Sequence, residues 1–374
     1  MRILHIHPSM GSGGIEAMIC ALVNEMSKSN DVTLCTIYTH KMSDIFEQKL
    51  SASVHRISLG KNKEGFSVKE IFKIYDVIKN GRYDVVHIHG FFYYYALAVY
   101  LLHKRVKFVY TVHSDAYRES AIWDRRFMLL KRQAFKRRYV HPVTISKESK
   151  RSFAMFYGLD STLIYNGIPE YAYDTNVDIL KDYRFTDKTR IFLHPGRITE
   201  AKNQVVLVKS FNRLVKDGYD VVLLIAGQKQ DMQIWTEIEP YLNDRIIYLG
   251  ERNDVRNLLS EADAFCLPSI WEGMPVTLLE ALSVGCVPIC SPVGGIPEVI
   301  TNGENGFLSS DSSEEAYYKA LKSFVFCTDI EIKDIKQKCL KTFDNFRISE
   351  VTKKYIEVYN NSSCLLYTSD AADE

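Results

Sequence analysis

The sequence predicts an α/β protein of two successive doubly wound, Rossmann-like domains facing one another across a cleft. Three observations lead there. The chain has 374 residues, beyond the size at which one hydrophobic core usually keeps growing. Short β-branched runs alternate with amphipathic segments, the mark of βαβ units and a parallel sheet. The pattern then restarts after a polar stretch from Glu170 to Thr189.

In order, the first series of strands is expected at residues 3–7, 32–38, 54–59, 85–89, 108–113 and 142–145. The second is expected at 191–194, 221–226, 246–249, 264–267 and 287–290. The domains are thus expected at 1–170 and 171–334. A segment of helical spacing at about 335–360 brings no further strand, and is expected to pack back on the first domain. Residues 362–374 show neither period and are read as a disordered or non-native tail.

Composition narrows the function classes. Apolar residues make up 46% and charged residues 25% of the chain, which is ordinary globular usage and excludes collagen, disorder and a disulfide scaffold. The net charge of +1 predicts no general attraction to nucleic acid. The eight cysteines (Cys20, Cys35, Cys266, Cys286, Cys290, Cys327, Cys339, Cys364) fall mostly in apolar runs without a C-x-x-C pair. They are expected to be reduced, buried thiols of a cytoplasmic protein. The first eight residues form too short an apolar run for a signal peptide. The tyrosine-rich stretch around 91–102 stops short of the roughly 18 apolar residues that a membrane span needs.

In open α/β sheets ligands sit beyond the carboxyl ends of strands, so the residues just after each strand carry the functional signal. The first strand runs into Pro8-Ser9-Met10-Gly11-Ser12-Gly13-Gly14-Ile15-Glu16. Such a turn opening a helix can face an anion with its N–H groups, although a glycine turn needed only for geometry reads the same way. It breaks the dinucleotide fingerprint at Glu16, and Tyr38-Thr39-His40 stand where an acidic residue would end the second strand. A dinucleotide oxidoreductase is therefore disfavoured.

In the second domain, His194-Pro195-Gly196-Arg197 leads to Lys202-Asn203. Two permanent cations bracketing a strand-to-helix turn suit a diphosphate, whose charge grows as it leaves. Taken alone, basic residues at a helix start are more often solvated surface. The stretch from Asp263 to Leu282 is more informative. A buried strand breaks at Pro268, a short loop carries Glu272 and Met274, and a helix starts near Pro275. The free N–H groups of Val276, Thr277 and Leu278 can receive phosphate. Glu280 lies about one turn into that helix beside apolar residues, where a carboxylate needs a partner such as ribose hydroxyls. Glu272, ahead of the helix, is placed to accept hydrogen bonds from sugar hydroxyls. The plainer alternative is a loop charge and a solvated helix charge.

The ordered set Arg197, Lys202-Asn203, Pro268-Ser269, Glu272 and Glu280 as E-x7-E, Gly285-Cys286-Val287-Pro288 and Gly294-Gly295-Ile296-Pro297-Glu298 resembles the GT-B-fold retaining glycosyltransferases of family 4. The resemblance covers nearly the whole chain, from Gly13-Gly14 to Asn305-Gly306-Phe307. It implies that Arg197 and Lys202 bind the donor diphosphate, Glu272 the transferred sugar and Glu280 the ribose. Gly14, with Gly13, is implied on the phosphate side, and Gly196 and the stretch Met274, Pro275, Val276, Thr277 and Leu278 complete the donor set. His113, at the end of a first-domain strand, is implied to touch the donor sugar, though Ser114 follows where an acidic residue often stands. Read alone, His113 is equally a satisfied strand-end histidine.

His87 and His89 alternate on one strand without a third ligand at metal spacing, so neither a metal nor any cofactor beyond the nucleotide sugar is expected. In the family, attack on the face from which phosphate departs is held to preserve the anomeric configuration, which demands charge stabilisation more than a base. The segment 121–138 interleaves seven cations with apolar residues at helical spacing. It can lie on an anionic membrane surface or grip a lipid diphosphate, or be an ordinary helix with a solvated basic face. The resemblance implies a nucleotide sugar, with UDP as the default, and a glycan or lipid-linked acceptor of bacterial surface polysaccharide assembly. It leaves an epimerase or phosphorylase of the same architecture, or a noncatalytic scaffold, as the competing readings.

Overall fold

The computed structural model describes residues 1–11, 13–39, 44–63, 65–119, 127–170 and 179–361. The chain divides into two compact units: Met1–Pro169 joined by the chain from Ile348 onward, and Glu170–Arg347. The tail at 362–374 lies outside the described residues.

Seven strands build the sheet of the first unit: β1 (Arg2–His7), β2 (Asp31–Tyr38), β3 (His55–Lys61), β4 (Val85–Ile88), β5 (Lys107–Val112), β6 (Val140–Thr144) and β7 (Thr162–Leu163). They lie in the order β3-β2-β1-β4-β5-β6-β7, with every pair parallel. The second unit holds β8 (Arg190–Pro195), β9 (Val221–Ala226), β10 (Ile246–Gly250), β11 (Ala264–Leu267), β12 (Val287–Cys290) and β13 (Phe307–Leu308). Their order is β10-β9-β8-β11-β12-β13, again parallel throughout. Each order reverses once, between β1 and β4 and between β8 and β11. These reversals are the switch points where a doubly wound sheet opens a crevice for a ligand.

The central strands read as continuous apolar runs because helices cover both faces of a parallel sheet. All six residues of β9 are buried. Each of its Val, Leu and Ile side chains contributes about 1.5–3 kcal/mol of transfer free energy. The apolar stretch after β4 becomes the helix Phe92–Leu102, which buries Phe92, Tyr93, Tyr94 and Tyr95 in the first unit's core. Among the described residues no helix is long and apolar enough to cross a membrane. The seven described cysteines are unpaired, and all but Cys327 are buried. Burial pushes the thiols of Cys35, Cys266 and Cys339 up to about 12, so they are poor nucleophiles.

The single terminal helix expected at 335–360 is two helices. Asp329–Phe343 belongs to the second unit and packs on the helix Val276–Ser283, so the second unit runs past 334. The chain then bends through a short 3-10 turn at Asp344–Phe346. Ile348–Asn361 returns to the first unit, packing on Gly14–Met26. The Ile348 N–H donates to the Ile168 carbonyl at 2.9 Å, while Arg347 pairs with Asp344 and Glu170 on the other side of the divide.

Candidate functional site

At the switch point of the second sheet, two loops are tied to each other. The loop after β8 turns through Gly196 and Arg197 into a short 3-10 segment, Glu200–Lys202, and ends at Asn203 in the left-handed region with φ of 54°. Asn203 donates its amide to the carbonyls of Pro268 (3.1 Å) and Ser312 (3.2 Å), and the Ile270 N–H donates to the Ala201 carbonyl at 2.9 Å. The loop after β11 is thereby stapled to the loop after β8. Their charged side chains meet: Lys202 Nζ donates to Glu272 Oε1 at 2.6 Å, and Ser269 Oγ donates to the same oxygen at 2.6 Å. Lys202 and Glu272 are 22% and 12% exposed, so the pair is shielded yet open to a ligand. With Oε1 held twice, Oε2 is the atom Glu272 can offer.

Arg197 is exposed, and its guanidinium has no partner among the described residues. Its backbone is fixed from beneath. Gln204 donates its amide to the Arg197 carbonyl (2.8 Å) and shares it with His194 Nε2 (3.1 Å), while His194 Nδ1 donates to the Cys266 carbonyl at 2.8 Å. The carbonyl fixes His194 as the Nδ1–H tautomer, leaving Nε2 as an acceptor. Burial lowers its pKa to about 4, so the ring is neutral. Gly196 lies so close to Gly227 that a Cβ on the latter would strike the Gly196 carbonyl oxygen.

Pro275 is the N-cap of the helix Val276–Ser283, in extended conformation, and Met274 is buried behind it. The first amides of that helix, at Val276, Thr277 and Leu278, have no intrahelical acceptor by construction. Glu280 sits in its second turn and accepts from Arg256 Nε at 3.0 Å through Oε1. Its expected need of a partner is thus half met within the protein, and Oε2 remains for a hydroxyl. The Gly294-Gly295 pair explains why the Glu272 loop keeps its shape. Gly294 has φ of +59°, and a Cβ there would run into the Glu272 carbonyl. The Gly295 N–H donates to the Gly273 carbonyl at 2.6 Å. Arg256, Gln204 and His194 escaped the sequence reading because nothing in their local pattern marks them.

In the first unit, Gly13 is the N-cap of Gly14–Met26, where Gly14 is exposed. His113 follows β5 and is 9% exposed. It does not stand alone. Sequence spacing hides a third histidine beside His87 and His89: β1 lies next to β4 and supplies His5, bringing a nitrogen from each of the three within 4.8 Å. Except for His5 Nε2, the ring nitrogens of these three are nevertheless committed to hydrogen bonds. His87 Nδ1 and Nε2 meet Tyr359 Oη and Thr111 Oγ1, both at 2.7 Å. His5 Nδ1 meets His89 Nε2 at 3.1 Å, and His89 Nδ1 meets His113 Nε2 at 2.9 Å. A metal would need those lone pairs converging on one point.

Of the basic segment 121–138, residues 121–126 lie outside the described residues. The rest forms the helix Met128–Lys136. Lys131 does not join a solvated basic face: it is 2% exposed and donates to Tyr110 Oη at 2.9 Å. The core stripe is Lys131, Ala134 and Phe135, while Leu129 and Leu130 point outward at 71% and 44% exposure.

Comparison with known proteins identifies the family. Residues 12–170 match the family model "Glycosyltransferase Family 4", and residues 177–337 match "Glycosyl transferases group 1". The chain is 31% identical over 176 residues to the Escherichia coli UDP-Gal:alpha-D-GlcNAc-diphosphoundecaprenol alpha-1,3-galactosyltransferase, covering 45% of each chain. It is 26% identical over 206 residues to the Bacillus anthracis N-acetyl-alpha-D-glucosaminyl L-malate synthase, covering 54% of this chain and 53% of that one. The matched stretches therefore span about half the length of these relatives. Among solved structures, Anabaena HepE in complex with UDP and glucose superposes with a TM-score of 0.79 at 16% identity, over 96% of this chain and 100% of that one. At that identity the likeness speaks for the fold. Two parallel sheets, the matched models and the ordered motif set agree: the chain belongs to the GT-B-fold glycosyltransferases of family 4.

Proposed function

We propose that the protein is a retaining, metal-independent glycosyltransferase that moves a sugar from a UDP-sugar to a glycan or lipid-linked acceptor in bacterial surface polysaccharide assembly. The observation that carries this is the Lys202–Glu272 pair at the switch point of the second sheet, on the loop that also presents Arg197. A departing nucleoside diphosphate gains negative charge, and a preorganised ammonium, a guanidinium and helix amides stabilise it without reorganising. Those two cations take the part a divalent metal plays elsewhere. Glu272 Oε2 accepts from the sugar hydroxyls and Glu280 Oε2 from the ribose. The names of relatives favour UDP and a diphospholipid acceptor. Leu129 and Leu130, with Arg132 and Lys136 exposed on the same helix, suit the surface of an anionic membrane that would carry such an acceptor.

The test is incubation with a panel of UDP-sugars, with and without a polyprenyl-diphosphate-linked sugar, in the presence of EDTA. Acceptor-dependent transfer with unchanged anomeric configuration is expected. Conversion of the donor sugar without acceptor would instead identify an epimerase, and loss of transfer restored by manganese would overturn metal independence.

The two carboxylates are separable. Glu280→Gln is expected to weaken UDP binding roughly fivefold, because a neutral amide replaces a charged acceptor. Glu272→Gln is expected to leave UDP affinity nearly unchanged and to lower turnover, since its partner is absent from the nucleotide. Calorimetric titration beside turnover measurements checks both; an equal loss of UDP affinity would show that they share one subsite.

A further inference from the structure

Ser269 stands in the ordered motif set without a part of its own in donor binding. It is 0% exposed, and its one hydroxyl proton goes to Glu272 Oε1 at 2.6 Å. An ionised carboxylate only accepts, so the direction of that bond is fixed. The same oxygen also receives the Lys202 ammonium, again at 2.6 Å. The two donors differ in kind. Lys202 Nζ ends a long, flexible side chain, is 22% exposed on that side chain, and carries further N–H groups to offer. Ser269 Oγ is two bonds from its own backbone and has no second proton to give.

That backbone is held on both sides. The Pro268 carbonyl accepts from the Asn203 amide at 3.1 Å, the Ile270 N–H donates to the Ala201 carbonyl at 2.9 Å, and Ser312 Oγ donates to the Ser269 carbonyl at 3.4 Å. The backbone of Glu272 is held as well. Its carbonyl lies against Gly294, and the next carbonyl, of Gly273, accepts from the Gly295 N–H at 2.6 Å. Both ends of the Ser269–Glu272 bond are therefore set by the fold of the second unit, whereas the Lys202 end is set by its rotamer. When a diphosphate arrives, the flexible ammonium is the donor that can turn to it. We propose that Ser269 is a positioning residue that keeps Glu272 Oε1 while the Lys202 ammonium passes from Glu272 to the diphosphate, so that Oε2 stays aimed at the sugar.

This rests on the reading of Lys202 as a diphosphate contact and of Glu272 as a sugar contact. With Ser269 in place, the two jobs are independent. Without it, Lys202 is the one hydrogen-bond partner left to the Glu272 carboxylate among the described residues, and the carboxylate follows the ammonium or turns freely.

The test uses UDP as the probe, in crystal structures of the UDP complexes of the unsubstituted protein and of Ser269→Ala. In the first, Ser269 Oγ is expected to remain on Glu272 Oε1 while Lys202 Nζ lies on the diphosphate. Glu272 parted from Ser269, or Lys202 still on Glu272 and off the phosphates, would overturn the proposal without recourse to any variant. In Ser269→Ala the Glu272 side chain is expected to lose its place, and an unchanged Glu272 there would refute the role of Ser269. For the UDP-sugar that the protein transfers, kcat of Ser269→Ala is expected to fall about tenfold, as for one hydrogen bond to a charged acceptor. Its affinity for UDP is expected to stay within about twofold. A matching loss of UDP affinity would mean that Ser269 shapes the loop rather than the carboxylate. Failure of UDP to bind the unsubstituted protein would refute the donor reading itself, a result distinct from a bound UDP with Glu272 displaced.

Discussion

Lowering the pH from 7.5 to 5.5 is expected to cost the first unit about 5 kcal/mol of folding stability. The cause is the buried set His5, His87, His89 and His113, whose pKa values all lie well below the ordinary 6.5 through desolvation. Once unfolded, these rings take up protons below about pH 6.5, while in the folded chain burial holds His5 and His113 at about 3 and His87 and His89 well below their ordinary value, so the folded rings stay neutral. The unfolded chain thus binds more protons, and stability falls with pH throughout that window. Each ring contributes about 1.4 kcal/mol over the first unit below 6.5. Among the described residues their neighbours are Thr111, Tyr355, Tyr359, His7 and one another, and no carboxylate is hydrogen-bonded to any of the four. The second unit has His194 as its one deeply buried counterpart among the described residues. Hydrogen exchange in β1, β4 and β5, corrected for intrinsic rate, is therefore expected to speed up far more between the two pH values than exchange in β8, β9 and β11. Equal protection at both would show that the histidines are charged or solvated in the folded protein.

Removing the Lys202 ammonium is expected to lower turnover about 100- to 1,000-fold, the range for deleting one preorganised donor to developing charge. The fold should tolerate Lys202→Ala far better. Lys202 is itself partly exposed, and Ser269 continues to hold the Glu272 carboxylate through Oε1. A fall in Tm of about 2–4 °C is expected. Turnover within tenfold of the unsubstituted protein would mean that the ammonium serves only to hold Glu272.

Much of this was legible in the sequence because parallel strands buried on both faces announce themselves as apolar runs. β7 and β13 were missed because two residues, at Thr162–Leu163 and Phe307–Leu308, carry no period at all. The motif residues Arg197, Lys202, Glu272 and Glu280 could be picked out by their places after strands, and the structure brings Lys202 onto Glu272. What sequence order hides is lateral order. His5 lies far from His87 along the chain and becomes its neighbour only because β1 pairs with β4. Arg256 is likewise joined to Glu280 by packing. The break between the last two helices was also hidden: helical spacing continues through residues 344–347, and only the transfer of the chain from one core to the other interrupts it.

The most direct test of the donor site is calorimetric titration of UDP into the unsubstituted protein and into Lys202→Ala. Loss of a charge-assisted contact to the diphosphate is expected to weaken binding about 10- to 100-fold. Equal affinity in the two proteins would contradict the assignment of Lys202 to the diphosphate, and with it the account of how the second unit holds its donor.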